Sequence, residues 1–525
     1  MTRSVTGARL AIAAAHAEAA LAVHAPQLVD RFSAALPLAA DTVGRRLRGA
    51  LVREDIGDAR ARHAGRGEPH GFDRVEFAAA GVDDPVELLG GLPAPGFAAE
   101  LRNAVVNLAI AMARPPDPAP RAQPDEEAVR LERLAVAGHN LHPCGRTRLG
   151  WDTTDVLAHD LEAGHTTVGF VAVRDDGHLG DDVGAALTEI YPWLPGPPAG
   201  YRLQPVHAWQ RDVVLPERHG GLLRDGALRI VDATLDAVPT AALRTLLLPP
   251  GADGRRRYLK VSLDIQVTST RRSISVASTR NGPAISRLLH EMAAGDPDGH
   301  RLVLLAETAG AAVPAGSGRD LSAIVRDGLP GERAVPGGAV GALLPGLLAE
   351  SGLGPLGWLD AYARLLLPPL LRFTALGVAF EAHLQNCLLT FAGGVPHRLV
   401  LRDFAGMRLH PGRLAANGFA VSLWPGSVVG VTDEETLRAK IGYTAFQAHL
   451  GELVIRLGAD EDAAWRTVRR VVDETYAELG GDPVARRDHA AFTAATVPHK
   501  ALVRMRLGGG GDVYLPVRNP LHAPA

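Results

Sequence analysis

The sequence predicts an α+β fold in three parts, and three observations carry that reading. Residues 1–135 are rich in Ala, Leu and Arg and have helical periodicity. The stretch 136–341 holds runs of β-branched residues typical of strands. Helical patterning returns over 342–525. A chain of 525 residues suffices for roughly two to four domains. With 46% hydrophobic and 22% charged residues, it is neither a disordered chain, a collagen nor a small disulfide scaffold. Its 55 basic residues face 58 acidic ones, so no global basic field favours nucleic acid or an anionic membrane as partner.

The elements follow in order. Arg3 and Arg9 before an Ala-rich run resemble a signal peptide, but His16 and Glu18 interrupt it, and the spacing suits an amphipathic helix. Turn-like breaks fall at 65–71 and 115–124, the second leading into Asp125, Glu126 and Glu127, an acidic helix start. Strands are expected at 166–173, 227–233, 258–270 and 301–307. Within 258–270, Leu259, Val261, Leu263, Ile265 and Val267 alternate with polar residues, which predicts a half-buried strand with Lys260, Asp264, Gln266 and Thr268 on its polar face. The Gly-, Pro- and Ala-rich stretch 309–341 reads as a loose connection between two lobes. Helices are expected at 342–350, with Pro345 in the first turn, and at 358–380. A helix-to-strand passage follows at 381–404, then helices at 433–457 and 460–480. The end, 500–507 and 513–517, reads as a hairpin around 508–511. The six residues 352–357 fit G-x-G-x-x-G, but no strand precedes them and Pro355 interrupts them, so a helix-to-helix turn is expected. The apolar run 365–371 contains Pro368 and Pro369 and is far shorter than the roughly 20 residues of a membrane span, so a cytoplasmic protein is expected. Cys144 and Cys387 are too few for a disulfide framework or a cysteine-based zinc site, and reduced thiols are expected.

Only Lys260, Lys440 and Lys500 among the 55 basic residues are lysine, so each has escaped a strong bias toward arginine. Four constellations carry chemistry. In 138–150, His139, His142, Arg146 and Arg148 sit in a Gly- and Pro-bounded loop; anion contact, a plain structural loop and the start of a metal site stand open. His207, Trp209 and Gln210 read chiefly as a buried, hydrogen-bonded group. Arg244, Thr245, Lys260, Thr268, Thr270 and Arg272 combine a rare lysine, hydroxyls and guanidiniums, which suits a phosphate or carboxylate cradle as well as a solvated strand face. Glu381, His383, Gln385 and Asn386, followed by Arg402 and Asp403, are the most specific. Glu381, Asn386 and Asp403 are hard oxygen donors of the kind Mg²⁺ prefers beside nucleotide phosphates, although a buried polar network would use the same residues.

As an ordered set, these motifs resemble the siderophore synthetases that work independently of nonribosomal peptide synthetases, the IucA/IucC (aerobactin synthetase-like) family. The resemblance spans about 135–520. The family's G-H-P-x-H-P-x-x-K-x-R-x-G is similar to 138–150, with Asn140 for its proline and Arg146 for its lysine. Its H-P-W-Q is similar to 207–210, and its S-x-R-T to 242–245, with Ala242 for the serine. Its K-L-S-L and T-S-x-x-R match at 260–272, with Asn281, Gly282 and Pro283 after them. E-A-H-x-Q-N, R-D and N-P-L match at 381–386, 402–403 and 519–521.

The resemblance implies a hand-like architecture: a helical thumb (1–135), β-rich fingers (136–341) and a palm with kinase-like Mg-nucleotide elements (342–525). It implies ATP- and Mg²⁺-dependent adenylation of a carboxylate, citrate or a succinyl or citryl derivative, and condensation with an amine or hydroxyl. AMP and pyrophosphate are released, and a homodimer is expected. By position, Arg244, Thr245, Lys260, Arg272, Arg326, His383, Gln385 and Asn386 would bind the nucleotide. His139, His142, Arg148, Thr268 and Thr270 would bind the carboxylate. His139, Arg272 and His383 would be catalytic, and Glu381, Asn386 and Asp403 would hold the metal. Two other readings compete: a kinase-like phosphotransferase releasing ADP, with Glu381 as base, and a non-catalytic carboxylate- or siderophore-binding protein of the same fold.

Overall fold

A computed structural model describes residues 2–522 other than 64, 269, 317 and 510. The fold is mixed α and β. The helices Thr2–His24, Val29–Arg53 and Pro95–Ala113 pack around an apolar core that includes Leu21, Phe32, Leu47 and Leu101, with Glu68–His70 and Arg74–Glu76 as a small hairpin at their side. No single helix among the described residues is long and apolar enough to cross a membrane.

The central element is an eight-stranded antiparallel sheet. Its order is Leu179–Gly180, Glu307–Ala312, Ser322–Asp327, Arg257–Val261, Thr245–Leu247, Leu228–Pro239, Thr166–Arg174 and Tyr201–His207. The sheet curls into a half-barrel, so that Gln204 on one edge strand donates to the Leu321 carbonyl beside an inner one. A second sheet pairs Leu302–Leu304, Val395–Leu401, Cys387–Ala392 and Val335–Pro336. It joins the largest core, built around Trp358, Tyr362, Phe373 and Phe404, which also takes in Leu288 and Leu289 of the helix Val276–Ala294.

Four sequence expectations are corrected. The 258–270 strand stops at Val261. Leu263 N–H bonds to Arg272 O and Arg272 N–H to Ile265 O, so the chain folds back on itself, and its non-alternate side is not solvated: Lys260 is 1% exposed. The 309–341 stretch is no loose connection but supplies two sheet strands and the Val335–Pro336 pairing. Its small residues serve close packing: a Cβ on Gly310 would lie 2.2 Å from the Thr279 carbonyl oxygen, so glycine lets the strand lie against the Val276–Ala294 helix. The helix Pro355–Leu376 ends at Gly377, and 381–386 is a turn leading into Cys387–Ala392 rather than a helix end. At the C-terminus, Leu502–Gly508 is helical, and Tyr514–Arg518 pairs with Thr496–Lys500. The carboxylate of Glu54 accepts the Val503 and Arg504 N–H groups, capping that helix from a position remote in sequence. Two further departures are small. The helix Gly337–Ser351 starts before 342, which moves Pro345 beyond its first turn. The 433–457 segment runs through a π-helical stretch, Gly442–Leu450.

Candidate functional site

A cavity of about 290 Å³ opens between the large sheet and the second one. From the sheet side come Arg244, Lys260, Thr270, Arg271 and Arg272; from the other side come Glu381, His383, Gln385, Asn386 and Asp403. Ser273, Ser275, Ser278 and Arg319 complete the wall. Five basic side chains therefore face two carboxylates, and the cavity holds an excess of positive charge.

Local structure aims these groups. Lys260 sits mid-strand between Thr245 and Ile324, which fixes its direction. Its Nζ reaches Asp403 Oδ1 at 2.5 Å. Asp403 ends its strand in the left-handed region, at φ 65°, a costly conformation for a non-glycine residue. That geometry turns the carboxylate back toward Lys260, and Arg326 Nη2 stands 3.8 Å from its second oxygen. Burial opposes ionisation of Asp403, but Lys260, Arg326 and Arg244 hold it well below the usual carboxylate range. Burial lowers Lys260 in turn, and Asp403 partly offsets this.

The 381–386 turn is fastened from behind. Asn386 Nδ2 donates to Glu381 O at 3.1 Å, and Arg402 donates to Gln385 O from Nε and Nη2. Arg402 also pairs with Glu132, whose other oxygen accepts the Ala241 N–H at 2.7 Å. Glu132 therefore ties the Arg244 loop to the strand end carrying Asp403. Lys440 Nζ reaches Glu381 Oε1 at 2.9 Å. Burial would raise the Glu381 carboxyl, yet Lys440 and His383 hold it down to about 2. Gly406 leaves room here, because a Cβ at that position would displace the Glu381 carboxylate from its place beside Lys440.

The expected residues divide. Arg244, Lys260, Thr270, Arg272, Glu381, His383, Gln385, Asn386 and Asp403 meet at the cavity. His139 is half-buried and within electrostatic reach of His383 and Arg272; its Nδ1 accepts the Leu141 and His142 N–H groups. Arg148, His142, Thr245, Thr268 and Arg326 are not brought to the cavity wall. Arg148 is 2% exposed and forms a two-pronged pair with Asp160 at 2.8 and 3.1 Å. His142 is buried, with Nδ1 accepting the Cys144 N–H. Thr245 Oγ1 is buried inside the sheet without a hydrogen bond. Thr268 donates to its neighbour's carbonyl, Val267 O, at 2.5 Å. Arg326 pairs with Glu307 behind Asp403. Burial lowers His383, takes His142 down to about 3 and holds His139 well below the ordinary imidazole range, so burial favours the neutral form of all three. Burial also lowers Arg272, to about 9, helped by Arg244 and Arg148.

Sequence reasoning missed Ser273, Ser275, Ser278 and Arg319. One signal was present: Ser275 followed by Ser278 is an N-cap pattern, and Ser275 Oγ accepts the Ser278 N–H at the start of the helix Val276–Ala294. That helix start faces the cavity and adds its partial positive charge.

Residues 127–342 match the model of the IucA / IucC family, and residues 357–514 match that described as ferric iron reductase FhuF-like transporter. The chain is 23% identical over 470 residues to D-ornithine--citrate ligase of Staphylococcus aureus (strain NCTC 8325 / PS 47), covering 76% of this chain and 70% of that one. In fold it is similar to petrobactin biosynthesis protein AsbB from Bacillus anthracis str. Sterne, with TM-score 0.79, 18% identity and 95% and 98% of the two chains covered. It is also similar to ATP-bound aerobactin synthetase IucA from a hypervirulent pathotype of Klebsiella pneumoniae, with TM-score 0.70, 18% identity and 92% and 100% covered. Motif order, family model and relatives agree: this chain resembles the IucA/IucC siderophore synthetases that work independently of nonribosomal peptide synthetases, with the family's own segment at residues 127–342.

Proposed function

We propose that the chain is an ATP- and Mg²⁺-dependent siderophore synthetase that adenylates a carboxylate, citrate or a succinyl or citryl derivative, and joins it to an amine or hydroxyl. The observation that carries this is the cavity where five cations face two ionised carboxylates. A triphosphate and a carboxylate repel each other, and clustered cations bring them together. The relatives' names support a ligase, and an ATP-bound neighbour of the same fold supports the nucleotide.

Arg244, Lys260 and Arg272 hold the phosphates, with His383, Gln385 and Asn386 beside them. Thr245 and Arg326 support this surface from behind. His139 and Thr270 meet the acid, while His142, Arg148 and Thr268 shape the loops that carry it. An oxygen of the acid attacks the α-phosphorus, the bond to the β-phosphate bridge breaks, and pyrophosphate leaves. The amine or hydroxyl then attacks the acyl carbon, the bond to the AMP oxygen breaks, and the attacking atom loses its proton. His139, His383 and Arg272 act as hydrogen-bond donors to developing negative charge, the imidazoles in neutral form.

The donor set fits Mg²⁺: Glu381 and Asp403 are ionised and 29% and 23% exposed, with the Asn386 amide between strand and turn. No group of three His, Cys, Asp or Glu among the described residues makes a metal cage. When bound, the ion neutralises phosphate charge. A thumb, fingers and palm division at 1–135, 136–341 and 342–525, a kinase-like palm, a homodimer and a cytoplasmic location belong to the same reading.

The test is a product assay. Protein, ATP, Mg²⁺ and hydroxylamine are incubated with citrate, α-ketoglutarate, succinate or a succinyl-hydroxamate acid. AMP with a ferric-coloured hydroxamate from one acid is expected. ADP would overturn adenylation in favour of phosphotransfer, a reading that the low Glu381 pKa disfavours because such a carboxylate is a poor base. No turnover with any acid would favour a binding protein.

A further inference from the structure

The ion pair behind Asp403 is built asymmetrically. Glu307 and Arg326 stand opposite each other on neighbouring strands of the large sheet, and their side chains are 0% and 3% exposed. An arginine and a carboxylate this close often meet as a two-pronged pair. Here a single nitrogen carries the contact. Arg326 Nη2 lies 3.3 Å from Glu307 Oε1 and 3.8 Å from Asp403 Oδ2, while Arg326 Nε and Glu307 Oε2 make no hydrogen bond. The guanidinium is therefore shared between two carboxylates, one sealed in the sheet and one lining the cavity. Glu307 is held from a third side. Its N–H donates to Ser286 Oγ at 2.9 Å, and a Cβ on Gly282 would lie 2.5 Å from its Oε2. Both residues belong to the helix Val276–Ala294, so Gly282, in the run Asn281 to Pro283, makes room for this carboxylate.

The two oxygens of Asp403 are used differently. Oδ1 takes Lys260 at 2.5 Å. Among the described residues, Oδ2 has no ion-pair partner nearer than Arg326, which at 3.8 Å is beyond hydrogen-bond range. A guanidinium released by Glu307 would close that gap, because opposite charges away from water attract strongly. It would then occupy the oxygen that a hard cation needs. We propose that Glu307 is a positioning residue: by holding Arg326 from the far side it keeps that guanidinium off Asp403 and leaves the outer Asp403 oxygen open to a divalent cation. This rests on the Mg²⁺ reading above and adds a residue that does not itself touch the ion. Groups behind a metal ligand set its orientation and its strength as a donor.

The test measures binding and needs no turnover. The full chain is titrated with Mn²⁺ alone, whose free-ion electron paramagnetic resonance signal is lost on binding. Glu307→Gln, which keeps the shape and removes the charge, is expected to bind Mn²⁺ about tenfold more weakly or worse, within the roughly 10- to 100-fold range for changes behind a metal ligand. The double variant Glu307→Gln/Arg326→Gln removes the guanidinium as well and is expected to return to within about threefold of the wild type, the mark of two coupled residues. A merely structural Glu307 would lower the melting temperature and leave the Mn²⁺ affinity in place. A Glu307→Gln variant with wild-type affinity would overturn the proposal. So would a double variant as weak as the single one, since Glu307 would then act by its own charge and not through Arg326. Should Glu307→Gln not fold, Glu307→Asp keeps the charge and shortens its reach by one methylene; a severalfold loss is expected there, and wild-type affinity would overturn the proposal. Failure of the metal reading looks different: Mn²⁺ binding is then absent from the wild type or unchanged in Asp403→Asn, which overturns both.

Discussion

Two regions look alike in sequence and differ in space. The 138–150 loop and the 244–272 stretch both concentrate basic residues, and both invite reading as anion sites. In the loop, Arg146 pairs with Glu162 and Arg148 with Asp160, all buried, so the charge is neutralised internally. In the other region, Arg244 donates to a neutral carbonyl, Ser273 O, and Arg272 Nε makes no hydrogen bond. Lys260 pairs with Asp403, which stands at the cavity, and Arg271 pairs with Asp264, which does not line it; Arg244 and Arg272 have no ion pair among the described residues. A cluster of cations becomes an anion site only when the fold withholds carboxylates from it. Asp160 and Glu162 lie a dozen or so residues beyond the loop and could have warned of the outcome.

The comparison can be broken from either side. The largest effect is expected at the cavity: Lys260→Ala and Asp403→Ala should each lower acid-dependent AMP release by roughly three orders of magnitude, following the 10²- to 10³-fold lost with one preorganised donor. Circular dichroism should report a native fold; AMP release near the wild-type rate in either would remove the cavity from the reaction. Next, Arg148→Met should destabilise by about 3 kcal/mol in a urea melt, because buried Asp160 loses its two-pronged partner and keeps only Arg146, 3.5 Å away, as counter-charge. The double variant Arg148→Met/Asp160→Leu should recover most of that. If Arg148→Met instead folds normally and loses citrate affinity, the loop is an anion site after all.

A smaller effect concerns Lys440. Glu381 sits at about 2 against an ordinary 4.5, so the stability of its pair with Lys440 is present above about 4.5 and fades as pH falls toward 2. Lys440→Met should return the Glu381 carboxyl upward. An acid limb near pH 4–5 should then enter the pH profile of AMP release, where the wild type has none. An unmoved limb would show that Lys440 does not set Glu381. The smallest effect is expected from Ala242→Ser. Restoring one neutral hydroxyl at the cavity should lower the KM for ATP by a few fold, about 1 kcal/mol at most. No change would mean that the serines opposite, Ser273, Ser275 and Ser278, already meet that need.

Much of the site was legible, because its residues lie in short segments of unusual composition. Lys260, the 381–386 turn and Asp403 stand out by residue rarity and spacing. The elements around them were read less well. The alternating run after Lys260 predicted one strand, but past Val261 the chain pairs with its own continuation, Leu263 N–H donating to Arg272 O and Arg272 N–H to Ile265 O, and the strand ends. The Gly- and Ala-rich 309–341 stretch reads as loose because small residues signal both mobility and close packing, and only the helix against Gly310 separates the two.

The sequence by itself determined which chemistry the chain carries: the oxygen donors, the scarce lysines and the order of the motifs that resemble a synthetase family. Covalent connectivity fixes spacing along the chain, and spacing is what motifs record. The tertiary structure alone decided which charges remain available. Arg326 and Arg148 differ from Arg244 and Arg272 only in whether a carboxylate from another segment comes within ion-pair distance, as Glu307 and Asp160 do. Coulomb attraction depends on that distance and on burial, and neither is written in the local sequence.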